Sequence, residues 1–517
     1  MIASIIPLIR LPIGKDSFDY LISKDVTVTI GQLARITFNH QEIWGVVASI
    51  KEKTNVPVGK LQAIQSLGPV WLTDQQLKLA DTVAKEGQAS LATTLSTIVP
   101  ILPKKEQVTT VIGKKTAIPQ PIFKDFKLHK QLTYLRWRSF NCFNDWLLKI
   151  IGSFPQGQRL ILVPTKDEGE RVIKVLSKEI KTVFIHSDLK DTEKRIIWQE
   201  LLTGKTKIVV CTRLGLFYPF PNLHCIFIDQ EDSEHYLNKE QKPYYDARTV
   251  TGQLAKLTGA AVIASSPAPS LTSYKLPSQL VTFNGGKGPQ ITTLELTGGL
   301  LDNPTIKEKI IKTIQQGKSV LVYHNRLGYN RFTTCRDCGY LLGCDVCKLP
   351  LKFSNRHNGW LCYRHEGVVK AGTCPVCHGV SWLTKSWGKE KIADVVKQWL
   401  GEEKLDALVL EIDKEVGMPK QWPYKPMVIV STKTNWMMLP WEQIGLIFIP
   451  LLELDMNRPD QLAILESYQT ISYFYALLNK DGELLIQTFD PQQEIIKTVV
   501  KDAYRDLYRK EKNPLTL

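Results

Sequence analysis

Residues 158–186 read QRLILVPTKDEGERVIKVLSKEIKTVFIH: an apolar run, a helical pattern, and a second apolar run. LILVP and TVFIH are short and unbroken in hydrophobicity, as strands covered on both faces are. Between them, Glu168 to Ile180 spaces its apolar residues at a helical period. The alternation continues outward, with KIVVCT, CIFID and AVIAS as further strands and Asp191 to Leu202 and Tyr245 to Leu257 as further helices. Strand and helix in turn imply a parallel sheet with helices on both faces, an α/β fold. This lobe is expected over residues 128–300.

The pattern resumes over residues 301–517. A helix reaching Gln316 and the strand SVLVYHN come first, and LDALVLEI, MVIVST, LIFIPL and ELLIQTF follow a cysteine-rich block. A second α/β lobe with a module inserted at 335–377 is the simplest architecture. Upstream, Ile2 to Ile9, Phe18 to Ile22, Val26 to Ile30, Leu33 to Phe38 and Ile43 to Ile50 are short segments separated by Gly and Asn/Asp turns. They predict a small β-rich domain over 1–102, in which Thr73 is placed to cap a helix through LKLADTVAKEG. Residues 103–127 are basic, contain Pro and have weak periodicity, so they read as a linker.

The chain has 517 residues, 43% hydrophobic and 23% charged, enough for several cores and unlike a disordered composition. Lys plus Arg (66) against Asp plus Glu (51) gives a net charge of +15, which favours polyanionic partners and makes nucleic acid the leading one. The apolar start is too short and interrupted for a signal peptide, and no run of 18 apolar residues follows, so a cytoplasmic protein without membrane contact is expected. Cys142, Cys211 and Cys225 read as core thiols. The other cysteines crowd into the block as Cys335-x2-Cys338, Cys344-x2-Cys347, Cys362-x2-His365 and Cys374-x2-Cys377. Two residues between thiolates let both sulfurs turn onto one tetrahedral ion, so four such pairs make two closed, structural zinc sites. Spacing leaves open which pair joins which. Gly339 and His378-Gly379 suit the tight turns, and His357 and His378 are alternatives to His365.

The block, preceded by Asn325-Arg-Leu-Gly-Tyr329 and opened by Cys335-Arg-Asp-Cys-Gly339, resembles the second helicase lobe of the primosomal protein N′ (PriA) replication-restart helicases. Phe18-Asp19-Tyr20, Gly31 and Gly45-Val-Val47 resemble that family's domain for the 3′ end of a DNA strand. Thr212-Arg213, Leu216-Phe217, Pro219 to Leu223, Pro243-x-Tyr245-x-Ala-Arg248 and Pro269-Ser-Leu271 resemble its first lobe. Pro459-Asp460 and Gly482-Glu-x-x-Ile486-Gln-Thr488 resemble its second. The resemblance implies two RecA-like lobes, DNA as partner, and replication-restart or single-strand-binding proteins as further partners. It also implies that Cys335, Cys338, Cys374 and Cys377 share one zinc and Cys344, Cys347, Cys362 and His365 the other. Phe18 would stack a terminal base and Asp19 accept from a terminal hydroxyl. The family's pocket glycine and lysine read Asn39 and Gln62.

The resemblance fails where ATP would be hydrolysed. A phosphate loop needs G-x-x-x-x-G-K-[ST] between strand and helix, whereas Leu135 to Asn144 reads LRWRSFNCFN. Gly204-Lys-Thr206 and Gly317-Lys-Ser319 precede strands and lack the upstream glycine. The family's Asp-Glu-Glu-His reads Asp229-Gln230-Glu231-Asp232, where Asp229 retains the chemistry to approach Mg²⁺ but an amide at 230 cannot take a proton from water. Two expected arginines are absent from Tyr473 to Lys480. No winged-helix segment fits between 103 and 128, and the family's C-terminal domain is expected to be missing after Leu517. The sequence therefore reads as a zinc-containing protein for forked or 3′-ended DNA in replication or repair, with no catalytic residues beyond the remnants Asp229 and Glu231. Two zinc ions are its cofactors, and ATP and Mg²⁺ have no evident site. The alternatives are an active 3′–5′ helicase with a divergent phosphate site and a protein-interaction module of the primosome.

Overall fold

The alternating N-terminal segments fold, in a computed structural model, into β1 (Ile2–Pro7), β2 (Phe18–Leu21), β3 (Gln32–Phe38), β4 (Gln41–Lys51) and β5 (Ser66–Val70). These make one antiparallel sheet in the order β2-β1-β4-β3-β5, with Ala3, Ile5, Tyr20, Ala34, Ile36 and Val47 buried on one another. Phe38 pairs with Gln41, so Asn39 and His40 form a two-residue turn, and both have positive φ (47° and 63°). That is the geometry of a type I′ hairpin, which Asn tolerates. The expected strand Val26 to Ile30 does not form. Only Val28 of that segment is buried, and the chain turns at Gly31, whose φ of +81° and approach to Leu72 O leave no room for a Cβ.

The structure describes residues 1–23, 26–99, 102–103, 112–118, 132–176, 182–275, 279–283, 288–296, 299–325, 332–338, 340, 342–346, 351–354, 359–362, 368–369, 372–385, 388–413, 416–419, 421–434, 436–456 and 462–510. Most of the expected linker, Arg326 to Tyr329, Gly339, Cys347, His357, His365 and Pro459-Asp460 lie outside them, as does the side chain of Cys142. The chain divides into two compact units, Met1–Arg136 with Phe143–Val281 and Trp137–Cys142 with Thr282–Leu517.

In the first unit, Thr73 caps α1 (Asp74–Glu86) through a capping box with Gln76, and Ser90 caps α2 (Leu91–Ile98). The elements that follow are β6 (Thr133–Trp137), α3 (Phe140–Gly152), β7 (Gln158–Leu162), α4 (Lys166–Leu176), β8 (Thr182–Ile185), α5 (Asp191–Leu202) and β9 (Ile208–Cys211). Then come β10 (Leu223–Asp229), the short pair β11 (Leu237–Asn238) and β12 (Tyr245–Asp246), α6 (Ala247–Thr258), β13 (Ala261–Ser266), α7 (Leu271–Lys275) and β14 (Gln279–Phe283). The large sheet has the order β14-β6-β13-β10-β7-β9-β8, with parallel neighbours from β6 to β8. The N-terminal segment shares its core: Trp198 Nε1 donates to Trp71 O at 3.0 Å, and Gln76 Nε2 donates to Phe217 O at 2.7 Å. Cys211 and Cys225 are buried.

The second unit contains β15 (Gln290–Glu295), α8 (Pro304–Gln315) and β16 (Ser319–Tyr323) before the insert. The insert carries β17 (Phe332–Cys335), β18 (Lys352–Ser354), β19 (Gly359–Leu361), β20 (Val368–Val369) and β21 (Trp382–Lys385). After it come α9 (Lys389–Glu402), β22 (Leu408–Ile412), β23 (Met427–Ser431), β24 (Ile444–Ile449), α10 (Glu453–Met456), α11 (Ala463–Leu477), β25 (Glu483–Thr488), α12 (Glu494–Lys501) and α13 (Tyr504–Lys510). Its sheet is parallel in the order β15-β25-β24-β16-β23-β22. The two lobes are thus α/β, each built on a largely parallel sheet. Gly204 and Gly317, the two phosphate-loop decoys, both have φ of +74° and end helices ahead of β9 and β16. No described helix is long and apolar enough to cross a membrane.

Candidate metal and nucleic-acid sites

β17 and β21 pair antiparallel with Cys335 opposite Trp382, and this register sets the cysteine geometry. Arg336 N donates to Ser381 O at 2.8 Å, bringing the first turn of the insert against the last. In that last turn, Cys374 N donates to Gly379 O (2.8 Å) and His378 N to Cys374 O (2.9 Å), with His378 at a φ of 60°. A Cβ on Gly379 would lie 2.1 Å from Asp337 Oδ2, so a larger residue there would have to push that exposed carboxylate aside. The sulfurs of Cys335, Cys338, Cys374 and Cys377 consequently lie within 4.8 Å of one another. Cys335 to Cys377 is 3.5 Å and Cys338 to Cys374 is 3.6 Å. Tetrahedral zinc with Zn–S bonds of ~2.3 Å separates its sulfurs by ~3.8 Å, whereas a disulfide needs ~2.0 Å. The donor set fits one closed metal site. Hydrogen bonding from the backbone of Cys338, with that of Asp337, draws the Cys335 thiol down to about 7, while burial pushes Cys338 up to about 12.

Among the described residues, the first and last pairs therefore meet. Cys344 and Cys362 are buried together with Leu342 and Leu351 under Trp360 and Trp382. Their expected co-ligands Cys347 and His365 lie outside the described residues.

Phe18 and Asp19 open β2, beside β1. The Phe18 ring meets Phe38 edge-on at 4.8 Å and remains half-buried. Asp19 pairs with Lys51 Nζ at 2.8 Å and accepts from Thr54 Oγ1. Burial raises the Asp19 carboxyl, but the hydrogen bonds from Lys51 and Thr54 outweigh it and hold the group below the usual carboxylate range. Gln62 is exposed, and its carbonyl accepts from Leu21 N at 2.9 Å, which puts Gln62 alongside β2. Lys51 was not singled out by sequence, and its partner across two strands gives no local signal.

Where a phosphate loop would stand, Arg138 and Ser139 alone join β6 to α3. Arg136 is buried and donates Nε to Pro267 O at 2.8 Å. Arg138 pairs with Asp502 (3.1 Å), donates to Val499 O (2.9 Å) and stacks on Tyr475 (4.7 Å). Trp137 is buried with its ring edge-on to Tyr473. Asp229 ends β10 but is not open to Mg²⁺: Arg171 NH2 sits 2.5 Å from its Oδ2. Glu231 accepts from Ser270 N (3.0 Å), Ser270 Oγ (2.5 Å) and Ser273 Oγ (2.6 Å), and Arg248 donates to its backbone carbonyl at 3.0 Å. Both acids are thus spoken for by their own chain. In place of arginines, α11 carries Tyr473 and Phe474, packed with Tyr323 and Trp436. These residues do not fit ATP with Mg²⁺.

Residues 8–100 match the family model of the PriA 3′ DNA-binding domain. Relatives named Replication restart protein PriA include that of Thermotoga maritima, 24% identical over 352 residues, which are 64% of this chain and 47% of the relative. That of Chlamydia pneumoniae is 27% identical over 354 residues, with 63% and 47% covered. That of Rickettsia prowazekii is 26% identical over 430 residues, with 75% and 64% covered. The chain spans about half the length of the first two of these relatives. Among solved structures, RecG bound to a three-way DNA junction is similar with a TM-score of 0.40 and 10% identity over 85% of this chain and 46% of that one. The helicase MrfA bound to DNA is similar with a TM-score of 0.39 and 12% identity over 72% and 46%. By the domain match over residues 8–100 and by relatives 24–27% identical over 63–75% of its length, this chain is similar to the PriA replication-restart family.

Proposed function

We propose that this chain binds forked or 3′-ended DNA without hydrolysing ATP, as a cytoplasmic protein held in shape by two structural zinc ions. On this reading residues 1–102 take the strand end through Phe18 and Asp19. Residues 128–300 and 301–517 are lobes kept for binding. Cys335, Cys338, Cys374 and Cys377 hold one zinc, and Cys344, Cys347, Cys362 and His365 hold the other. The observation that carries it is the two-residue connection Arg138-Ser139 between β6 and α3. A phosphate loop encloses the phosphates with a string of backbone N–H groups and a lysine, and two residues without glycine or lysine cannot supply that cradle. Gln230 in place of a carboxylate, and Glu231 committed to Ser270 and Ser273, also remove any base for water. The net charge of +15 suits a polyanionic ligand.

The test is ATP turnover by zinc-loaded protein, with and without a fork bearing a free 3′ end at its junction, beside fork binding at moderate salt. Fork binding with no turnover is the expected result. DNA-stimulated hydrolysis would replace this reading with that of an active motor.

A further inference from the structure

Asp229 stands at the carboxyl end of β10, the edge at which parallel α/β sheets present groups to ligands. Here the edge is filled from within. The guanidinium of Arg171, on α4, lies 2.5 Å from Asp229 Oδ2 through NH2 and 2.9 Å from Glu168 Oε2 through Nε. The side-chain exposures are 12% for Arg171, 1% for Glu168 and 0% for Asp229, so water does not screen the three charges from one another. The cation also rests on the Phe143 ring, 5.8 Å from its centroid. The Asp229 carbonyl accepts from Tyr236 Oη, which is itself buried, so the end of the strand is fixed on its backbone side as well.

One guanidinium faces two carboxyl groups that burial pushes up, and two buried oxygens, Asp229 Oδ1 and Glu168 Oε1, make no hydrogen bond of normal geometry, with the Gln230 amide beside both acids. A divalent cation is what two such oxygens would otherwise attract. Arginine keeps its proton at any physiological pH, and its fork is already bonded to both acids, so it cannot yield its place by titration. We propose that Arg171 is the resident cation of this site, standing where a divalent metal would stand, and that Asp229 and Glu168 become a divalent-cation site only when the guanidinium is removed. The proposal deepens the non-hydrolytic reading, since it names the group that closes the acidic edge, but it is tested without ATP or DNA.

The probe is Mn²⁺, counted by the loss of its free paramagnetic signal in the presence of zinc-loaded full-length protein. Wild type and Asp229→Asn should bind the same amount of Mn²⁺. Arg171→Ala should bind one further ion per chain, and Arg171→Ala with Asp229→Asn should lose it again. Mn²⁺ bound by wild type but not by Asp229→Asn would overturn the proposal, as would a folded Arg171→Ala that gains none. Should Arg171→Ala fail to fold, wild type against Asp229→Asn still decides, because that comparison asks directly whether Asp229 is open to a metal. Turnover of ATP or failure to bind DNA would strike the functional reading and leave these Mn²⁺ counts to be judged alone.

Discussion

Glu453→Gln should change how the second unit responds to pH, by an amount the structure allows to be worked out. Glu453 opens α10 and is fully buried, with Oε1 accepting from Thr488 Oγ1 and from Phe489 N (3.0 Å), while Oε2 has no partner. Burial raises its pKa from 4.5 to about 7. Below pH 4.5 the carboxyl is protonated in folded and unfolded chains alike and costs nothing. As pH rises from 4.5 toward 7 the unfolded chain releases a proton that the folded chain still holds, so stability falls. Above 7 the full penalty, about 3 kcal/mol at most, applies. Glutamine stays neutral and can accept the same two bonds through its own Oε1, which removes the pH-dependent part. Its buried amide N–H₂ lacks an acceptor, a roughly constant cost of about 1–3 kcal/mol at every pH. The quantity to read is therefore the change in the mutational effect between pH 5.5 and 8.5, about 2 kcal/mol in favour of glutamine at the higher pH. Urea unfolding of both proteins, followed by tryptophan fluorescence, measures it. A mutational effect that is the same at both pH values would mean that Glu453 is already ionised in the native state at pH 5.5, and the reasoning would fall.

If the cysteine pairs hold structural zinc, chelation or Cys374→Ser should unfold the inserted module, since each site is worth on the order of 10 kcal/mol at neutral pH. Loss of hydrogen-exchange protection in β17 and β21, with β22 to β25 still protected, is the expected pattern, and unchanged protection throughout would refute it. Phe18→Ala should weaken binding to a recessed 3′ end by about 1–3 kcal/mol, the usual worth of one base stack. Asp19→Asn should lower the preference for a 3′-hydroxyl over a blocked end, and equal affinities for both ends in wild type, read by fluorescence anisotropy, would remove Asp19 from the pocket.

The lobes were legible because their strands are buried on both faces. IVVC in β9 and the whole of β10 admit no polar side of a sheet, and such runs are hard to mistake once helices separate them. The N-terminal sheet was less legible. Val26 to Ile30 alternates Val, Thr and Ile as a strand does, but four of its five side chains are exposed, and the pairing it would need is taken by β4 and β5. β5 itself, with Gly68 and Pro69 inside it, carries the punctuation of a loop. Gly68 is tolerated there because its missing Cβ makes room for Trp44. The cysteine partners were undecided for a different reason, since equal spacing makes every pair equivalent until the β17–β21 register brings the first beside the last.

Arg171 marks the boundary of what local sequence can say. Three residues after Glu168 on a charged helix, it reads as one half of a solvated ion pair, worth a few tenths of a kcal/mol. Only the position of α4 over the end of β10 turns it inward to Asp229. The acids that would serve a motor share that fate: Asp229 is held by Arg171, and Glu231 by Ser270 and Ser273. Phe18 and Gln62, on the N-terminal sheet, stay half-buried or exposed. Side chains that must meet a ligand cannot all be satisfied within the fold, whereas a group with no ligand to meet is costly to bury unless its own chain partners it. On the proposed reading Arg171 neutralises the acidic edge from within while Phe18 keeps an open face, and Asp19 beside it must exchange Lys51 and Thr54 for a strand end.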